Sequence, residues 1–536
     1  MTVVPTITYS PAVNRTIKIS VLVAVTLITC TEYLTSYAIG VALPDIQGDL
    51  SASMDEGSWI LTVYSTSFLV GLVLSNWLAD RLGYRRYLTA AATLFLLAAM
   101  GCGLSHTLAQ MLVYRCAMGF AGGNFLARSE TAVYRLFEGK ARQRALMVFA
   151  IAVVGLARTA GPAVGGYFTE WYSWRYIFAL NAPLILIATV LLTAFVPDVR
   201  AAAADRIRLD KPGLVLLVAW VVSLQVMLSR GERDDWFADP FISTLGGIAA
   251  VALPLFIWWE RRVARLGRTP LVRLSIYRSR NFCVGSIYVV MLGMMLYGQL
   301  YAVPQFLRGV QHHSASGTGE LQTFNALMFF AGLLVGALLM GKVGVRVALA
   351  TGAAVFAGGM IAWTYMLTPQ VSDLLMLLPL GLTGLGAGWQ IGPVSTLINR
   401  DTPSASVGVG MEMYLAQRQL GGSWGIAVLA IILDRRRSLW SGRLAERLTV
   451  YNPLTEQTLR KTAMLFSYAG LPRASSFSAA IGLLHRRLIL QSIVNAFRDC
   501  FAYQAALGIA AICLILFFRR GERLLLASRW IVLLGR

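Results

Sequence analysis

Apolar runs long enough to cross a bilayer follow one another along this chain from near Ile17 to near Phe518. As an α-helix, about 20 such residues span the roughly 30 Å hydrocarbon core. Lipid offers no partner for backbone N–H and C=O groups, so a crossing segment must satisfy them within itself. The repetition therefore reads as an all-α polytopic membrane protein. Composition agrees: 14% of residues are charged, against about 25% in soluble domains. The net charge of +21 would suggest nucleic acid only if the basic residues formed a patch. They fall mostly between apolar runs, as topology signals do, so no nucleic-acid partner is expected.

Fourteen spans are expected, near 17–43, 57–79, 87–104, 108–130, 145–168, 175–196, 212–229, 241–259, 282–304, 323–341, 345–367, 373–397, 407–433 and 495–518. An even count puts both termini on one side. Loops on that side hold Arg81, Arg85, Arg86, Lys140, Arg142, Arg144, Arg200, Arg206, Arg208 and Arg261, while the short loops opposite hold Arg175, Arg230, Arg233 and Arg308. The excess predicts cytoplasmic termini. The segment Asp434 to Gln491 is basic yet assigned outside, and is read as a long outer loop. The first apolar run is too long for a cleavable signal and continues as a helix. The six cysteines lie in or beside apolar runs without metal-ligand spacing and read as small core residues. His312 and His313 have no acidic or cysteine neighbours in sequence, so no metal site is expected. A phosphate-cradling loop is missing too, so ATP is not the direct energy source.

The turn Asn76–Leu88, NWLADRLGYRRYL, packs Asp80, Arg81, Gly83, Arg85 and Arg86 between two spans. Such a cluster belongs at a membrane face. It resembles motif A (G-x-x-x-D-R-x-G-R-R) of the major facilitator superfamily, with Asn76 where that family has glycine. The resemblance implies a charged latch that holds one conformation; an ordinary positively charged loop is the plainer reading. The fourth span carries Arg115 followed by Gly119, Gly122 and Gly123, and resembles motif B, where the arginine takes part in proton coupling. A structural arginine bonded to a carbonyl is the alternative. The fifth span contains Gly161, Pro162, Gly165 and Gly166, followed by Trp174, Asn181 and Pro183. This resembles motif C, G-P-x-x-G-G, the antiporter motif; a glycine-rich packing helix is the bland counterpart. Arg158, one turn earlier, is outside the usual pattern and would pair with an acid, meet an anionic substrate, or bond a carbonyl.

The first span ends Val41-Ala-Leu-Pro44 as the family does, but Thr35 replaces its aspartate and Gly40 its asparagine. Glu32, one turn from Thr35 on nearly the same face, becomes the candidate titrating carboxylate, unless it faces water at the rim. In span thirteen, Arg418-Gln-Leu-Gly-Gly-Ser423 is family-like, and Glu412 is a second candidate acid. Cavity candidates are Tyr37, Tyr64, Arg158, Gln299, Asn325, Gln390 and Arg418, with Gln305, Trp59 and Trp389 behind them; helix packing is the competing role for each. Gly341-Lys-Val-Gly-Val-Arg346 echoes motif A without its aspartate, as expected of repeated halves.

Together these features resemble the fourteen-helix drug:proton antiporters of the EmrB/QacA type. The resemblance implies two six-helix bundles, residues 1–200 and 281–536, with two extra helices and an amphipathic cytoplasmic linker in 201–280. It implies a proton-coupled exporter of hydrophobic or amphipathic compounds in a bacterial inner membrane. No cofactor beyond the proton gradient is implied. Such proteins often work with a periplasmic adaptor and an outer-membrane channel, for which 434–491 is the natural contact. A dedicated exporter of one metabolite, such as a siderophore, remains open, as does a non-transporting receptor or a membrane-embedded enzyme.

Overall fold

The computed structural model describes residues 15–196, 210–232, 234–268, 270–401, 407–449 and 451–518. Arg200, Arg206, Arg208 and Arg233 lie outside the described residues, as do the side chains of Asn76 and Lys140. The described residues form helices α1 (Arg15–Asp49), α2 (Met54–Leu82), α3 (Tyr84–Gly103), α4 (Leu108–Gly122), α5 (Phe125–Leu136), α6 (Gly139–Ala150), α7 (Arg158–Trp171), α8 (Arg175–Ala179) and α9 (Asn181–Phe195). They continue with α10 (Lys211–Arg230), α11 (Pro240–Arg265), α12 (Arg280–Gly309), α13 (Ala315–Val343), α14 (Val345–Met366), α15 (Asp373–Ile398), α16 (Val407–Arg447), α17 (Pro453–Tyr468) and α18 (Arg473–Ile515).

Helix starts are marked by short polar side chains that accept from otherwise unpaired N–H groups. Ser53 and Glu56 form a reciprocal capping box at α2. Thr107, Asp210, Asp239, Ser279 and Ser314 cap α4, α10, α11, α12 and α13. Among the described residues, twelve helical segments are long and apolar enough to cross a membrane. The expected fourth and thirteenth spans are not among them. The fourth is interrupted between α4 and α5 at Gly123–Asn124. The thirteenth lies in α16, whose 41 residues include a charged second half. Large apolar side chains such as Leu97, Val113, Leu156 and Leu374 are more than half exposed on the helix surfaces. That surface suits lipid: the chain is an integral membrane protein.

Within the first part of the chain, α1 packs on α7 and α9, α2 on α4, and α3 on α4 and α9. Further on, α15 packs on α13 and α14, α12 on α16, and α18 on α14 and α16. The two groups meet where α7 lies on α13 and α2 on α16, with α1 also touching α12. Helices α10 and α11 pair with each other, and α10 leans on α16 and α2.

Three expectations change. The amphipathic linker expected at the end of 201–280 is a short 3₁₀ turn, Leu274–Arg278, just before α12. Ser279, whose side chain accepts from the Phe282 amide, starts α12 there and divides the run. The segment 434–491 is not a loop: α16 continues to Arg447, α17 follows, and α18 begins at Arg473. Its helices are tied by Trp440 Nε1 donating to Asp499 at 2.8 Å. Finally, only Cys102 and Cys500 are buried; Cys116, Cys283 and Cys513 lie on helix surfaces, where an apolar thiol meets lipid rather than core.

Candidate functional site

The central cavity, of about 90 Å³, lies between the two groups of helices. Its wall takes Glu32, Tyr33 and Tyr37 from α1, Tyr64 from α2, Arg115 from α4, Arg158 from α7, Tyr297 from α12 and Arg418 from α16. Glu32 is 6% exposed, which removes the rim reading. Its Oε1 accepts from Tyr64 Oη at 2.8 Å and from Ser36 Oγ at 3.1 Å. Arg115 donates from Nε to the Ile60 carbonyl at 3.2 Å and lies over the Tyr64 ring at 4.2 Å. Tyr64 thus joins the acid to the arginine: its hydroxyl serves one and its ring face the other. Arg115 bonds a carbonyl, as its plainer reading had it, beside the acid.

Thr35 stands where the family aspartate would, and is occupied elsewhere. Its hydroxyl donates to Asn181 Oδ1 at 2.9 Å and to the Thr31 carbonyl at 2.7 Å. The position has become a tie between α1 and α9, and Glu32 is the carboxylate left on the cavity wall. Gly122 permits this. A Cβ there would meet Tyr64 Oη at 2.9 Å and Glu32 Cγ at 3.3 Å.

Arg158 follows a seven-residue π-helical stretch, Ile151–Ala157, the kind of helix irregularity frequent at functional sites. Its guanidinium lies over the rings of Tyr37 (4.7 Å) and Phe329 (3.1 Å), one from each group of helices. About two turns on, the motif C glycines make close backbone contacts, Gly165 within the first group and Gly166 between the groups. A Cβ at Gly165 would stand 2.4 Å from the Ala38 carbonyl oxygen, and one at Gly166 would stand 2.4 Å from that of Ala315.

Of the other cavity candidates, Gln299 and Asn325 line a smaller chamber that shares Tyr37, Arg158 and Phe329 with the first. Gln390 lies outside both, accepting from Tyr288 Oη at 2.6 Å and donating to the Gly386 carbonyl. Trp59 and Trp389 are not among the lining residues. Gln305 bonds Gln47 at 3.1 Å, near the Asp49 end of α1.

Both ends of the cavity are bridged between the groups. At the Asp49 end, Arg308 of α12 pairs with Asp45 of α1. There the Ser316 amide also donates to Glu170 at 2.7 Å. At the Gly83 end, Arg128 of α5 pairs with Glu412 of α16 at 2.6 Å. Glu412 therefore does not face the cavity. Arg128 was missed in the sequence, as was Glu130 two residues on, a further carboxylate within the electrostatic reach of Arg418. The Asn-Phe-Leu-Ala-Arg-Ser-Glu run after Gly122-Gly123 was the available signal: polar residues resuming inside an expected span.

The motif A turn has its own geometry. Gly83 sits at φ +90° and ψ +146°, closing α2 and opening α3. Gly344, between α13 and α14, has φ +90° and ψ +157°. Only glycine takes such a conformation readily. Arg81 lies over the Trp77 ring at 5.3 Å, and Asp80 is exposed at the helix end. Among the described residues no cluster of metal ligands occurs.

A family model described as Major Facilitator Superfamily matches residues 25–426. The multidrug export protein EmrB of Escherichia coli (strain K12) is 26% identical over 497 residues, 92% of this chain and 94% of that one. The fatty acid resistance protein FarB of Neisseria gonorrhoeae is 29% identical over 490 residues, covering 90% and 92%. Among solved structures, a bacterial homolog of the human lysosomal transporter Spinster, inward-facing and unoccupied, is similar with a TM-score of 0.61. It shares 14% identity over 95% of this chain and 100% of that one, and so speaks to the fold alone.

Proposed function

Because this chain belongs to the major facilitator superfamily, we propose that it is a secondary exporter working by alternating access. It exchanges protons for hydrophobic or amphipathic small molecules and is of multidrug-efflux type. The observation that carries this is the Glu32–Tyr64–Arg115 cluster on the wall of a cavity bridged at both ends. A buried carboxylate in such a place is expensive to keep and is a functional residue by default. The names of the relatives, multidrug export and fatty acid resistance, point the same way.

Residues 1–200 and 281–536 are the two rocking halves, with 201–280 an accessory pair of helices. Glu32 carries the proton, and Arg115 and Tyr64 set how readily it leaves. Asp80, Arg81, Arg85 and Arg86 act as the latch at the cytoplasmic end, alongside the Arg128–Glu412 bridge. This assigns Glu412 to gating rather than to proton carriage. The Asp45–Arg308 and Glu170–Ser316 contacts close the opposite end. Differential stability of these two sets in the two states is what a proton or substrate can bias. The protein sits in the inner membrane with both termini cytoplasmic. The helical segment 434–491 meets a periplasmic adaptor that leads to an outer-membrane channel.

The test is transport by the purified full chain in proteoliposomes under an imposed pH gradient. Substrate movement that follows the gradient, and proton movement that follows substrate, are expected. Vesicles that acidify identically with and without substrate would overturn the reading.

A further inference from the structure

The cavity wall carries more positive than negative charge. Of its lining residues, Arg115, Arg158 and Arg418 are cations and Glu32 is the one carboxylate. Glu32 is already held by Tyr64 and Ser36, and Arg115 by a carbonyl and the Tyr64 ring. The other two arginines have no acid partner within 4 Å among the described residues. Arg158 Nε and Arg418 Nε are both buried without an acceptor.

Arg158 is the more telling. Its guanidinium lies over the Tyr37 and Phe329 rings, which leaves its N–H edge for hydrogen bonding. Among the described residues, no protein group accepts from it. The edge of a guanidinium is a planar fork that fits a carboxylate with two parallel bonds. A buried cation with an unclaimed fork is chemically suited to an anion. The same wall disfavours a cation. Quaternary ammonium groups are bound by open aromatic faces. On this wall arginine already lies over the Tyr37, Tyr64 and Phe329 rings.

We infer that the cavity takes amphipathic monocarboxylates, the carboxylate forked by Arg158 with Arg418 nearby and the apolar body among the surrounding aromatic side chains. The inference rests on the export reading above, since it treats the cavity as the substrate site. It makes the anion, not the apolar bulk, the part that is recognised. A carboxylate that enters would satisfy donors that are otherwise desolvated for nothing, whereas a neutral analogue would leave them so.

The experiment compares three probes of one shape: 2-naphthoate, 2-naphthamide and 2-naphthylmethylammonium. Binding to the full chain in lipid nanodiscs is read by equilibrium dialysis at neutral pH. Naphthoate should bind at least about tenfold more tightly than the amide, the scale of one hydrogen bond to a charged group. The ammonium should bind least. Arg158→Gln should erase the preference for carboxylate over amide, and Arg158→Lys should retain part of it through charge without the fork. Equal binding of the amide or the ammonium to the unmodified chain overturns the inference. So does a preference that survives in an Arg158→Gln protein melting at the original temperature. If Arg158→Gln fails to fold, the three-probe comparison and Arg158→Lys still decide. Transport of the same probes separates the two readings. Export of the ammonium but not the carboxylate removes the inference and leaves export standing. Preferred binding of naphthoate with no transport of any probe supports the inference and removes export.

Discussion

Replacing Glu412 with glutamine is expected to open the Gly83 end of the bundle. The Arg128–Glu412 contact is 2.6 Å long, between side chains 7% and 20% exposed. Solvent screens it little, so it ranks with hydrogen bonds to charged groups, worth about 1.5–3 kcal/mol. Glutamine keeps the shape and an acceptor oxygen but loses the charge, which favours a figure of about 2 kcal/mol. The contact joins α5 to α16, so its loss falls on the closed arrangement of this end and not on the open one. At 1.4 kcal/mol per tenfold, the closed-to-open ratio drops roughly 30-fold. Spin labels at Tyr134 on α5 and Val347 on α14, both at least half exposed, in a cysteine-free background would report the separation by pulsed dipolar spectroscopy. A longer-distance population should appear in Glu412→Gln and in Arg128→Gln, and the double variant should be no more open than either. An unchanged distance distribution in both single variants would refute the argument, because the pair would then contribute nothing to closure.

Glu32→Gln should abolish gradient-driven transport in proteoliposomes while leaving the melting temperature within a few degrees; undiminished uptake would remove Glu32 as proton carrier. Gly165→Ala places a methyl 2.4 Å from the Ala38 carbonyl oxygen, backbone against backbone. It should cost about 1–3 kcal/mol, read as a lowered melting temperature in detergent. Asp80→Asn should reduce turnover more than substrate binding, compared by transport rate and equilibrium dialysis; efflux at the unmodified rate would count against the latch.

What was legible in the sequence followed from local spacing. Gly161-Pro162 and Gly165-Gly166 announce a close helix contact because small residues at that interval leave a flat helix face, and the contact is there. Arg115 and Glu32 stood out because charge inside an apolar run must be used. Partners were not legible where they lie far apart in the chain. Thr35 and Asn181 are 146 residues apart and Arg128 and Glu412 are 284 apart. Phe329 gave no hint that an arginine would lie against it. Gln390 and Trp389 were misplaced because α15 is apolar on all sides, leaving nothing to say which face meets the cavity. Thr35 mattered twice: its departure from the family pattern was visible, but its new role as a tie to Asn181 needed the packing of α1 on α9.

Helices α16 and α18 are 41 and 43 residues long. At about 1.5 Å per residue each is roughly 60–65 Å, twice the hydrocarbon thickness of a bilayer. They are therefore levers as well as walls. A rotation pivoting at mid-membrane sweeps the far tip through a wide arc. Whatever rests on that tip would feel which way the transporter is facing without ever touching its cargo.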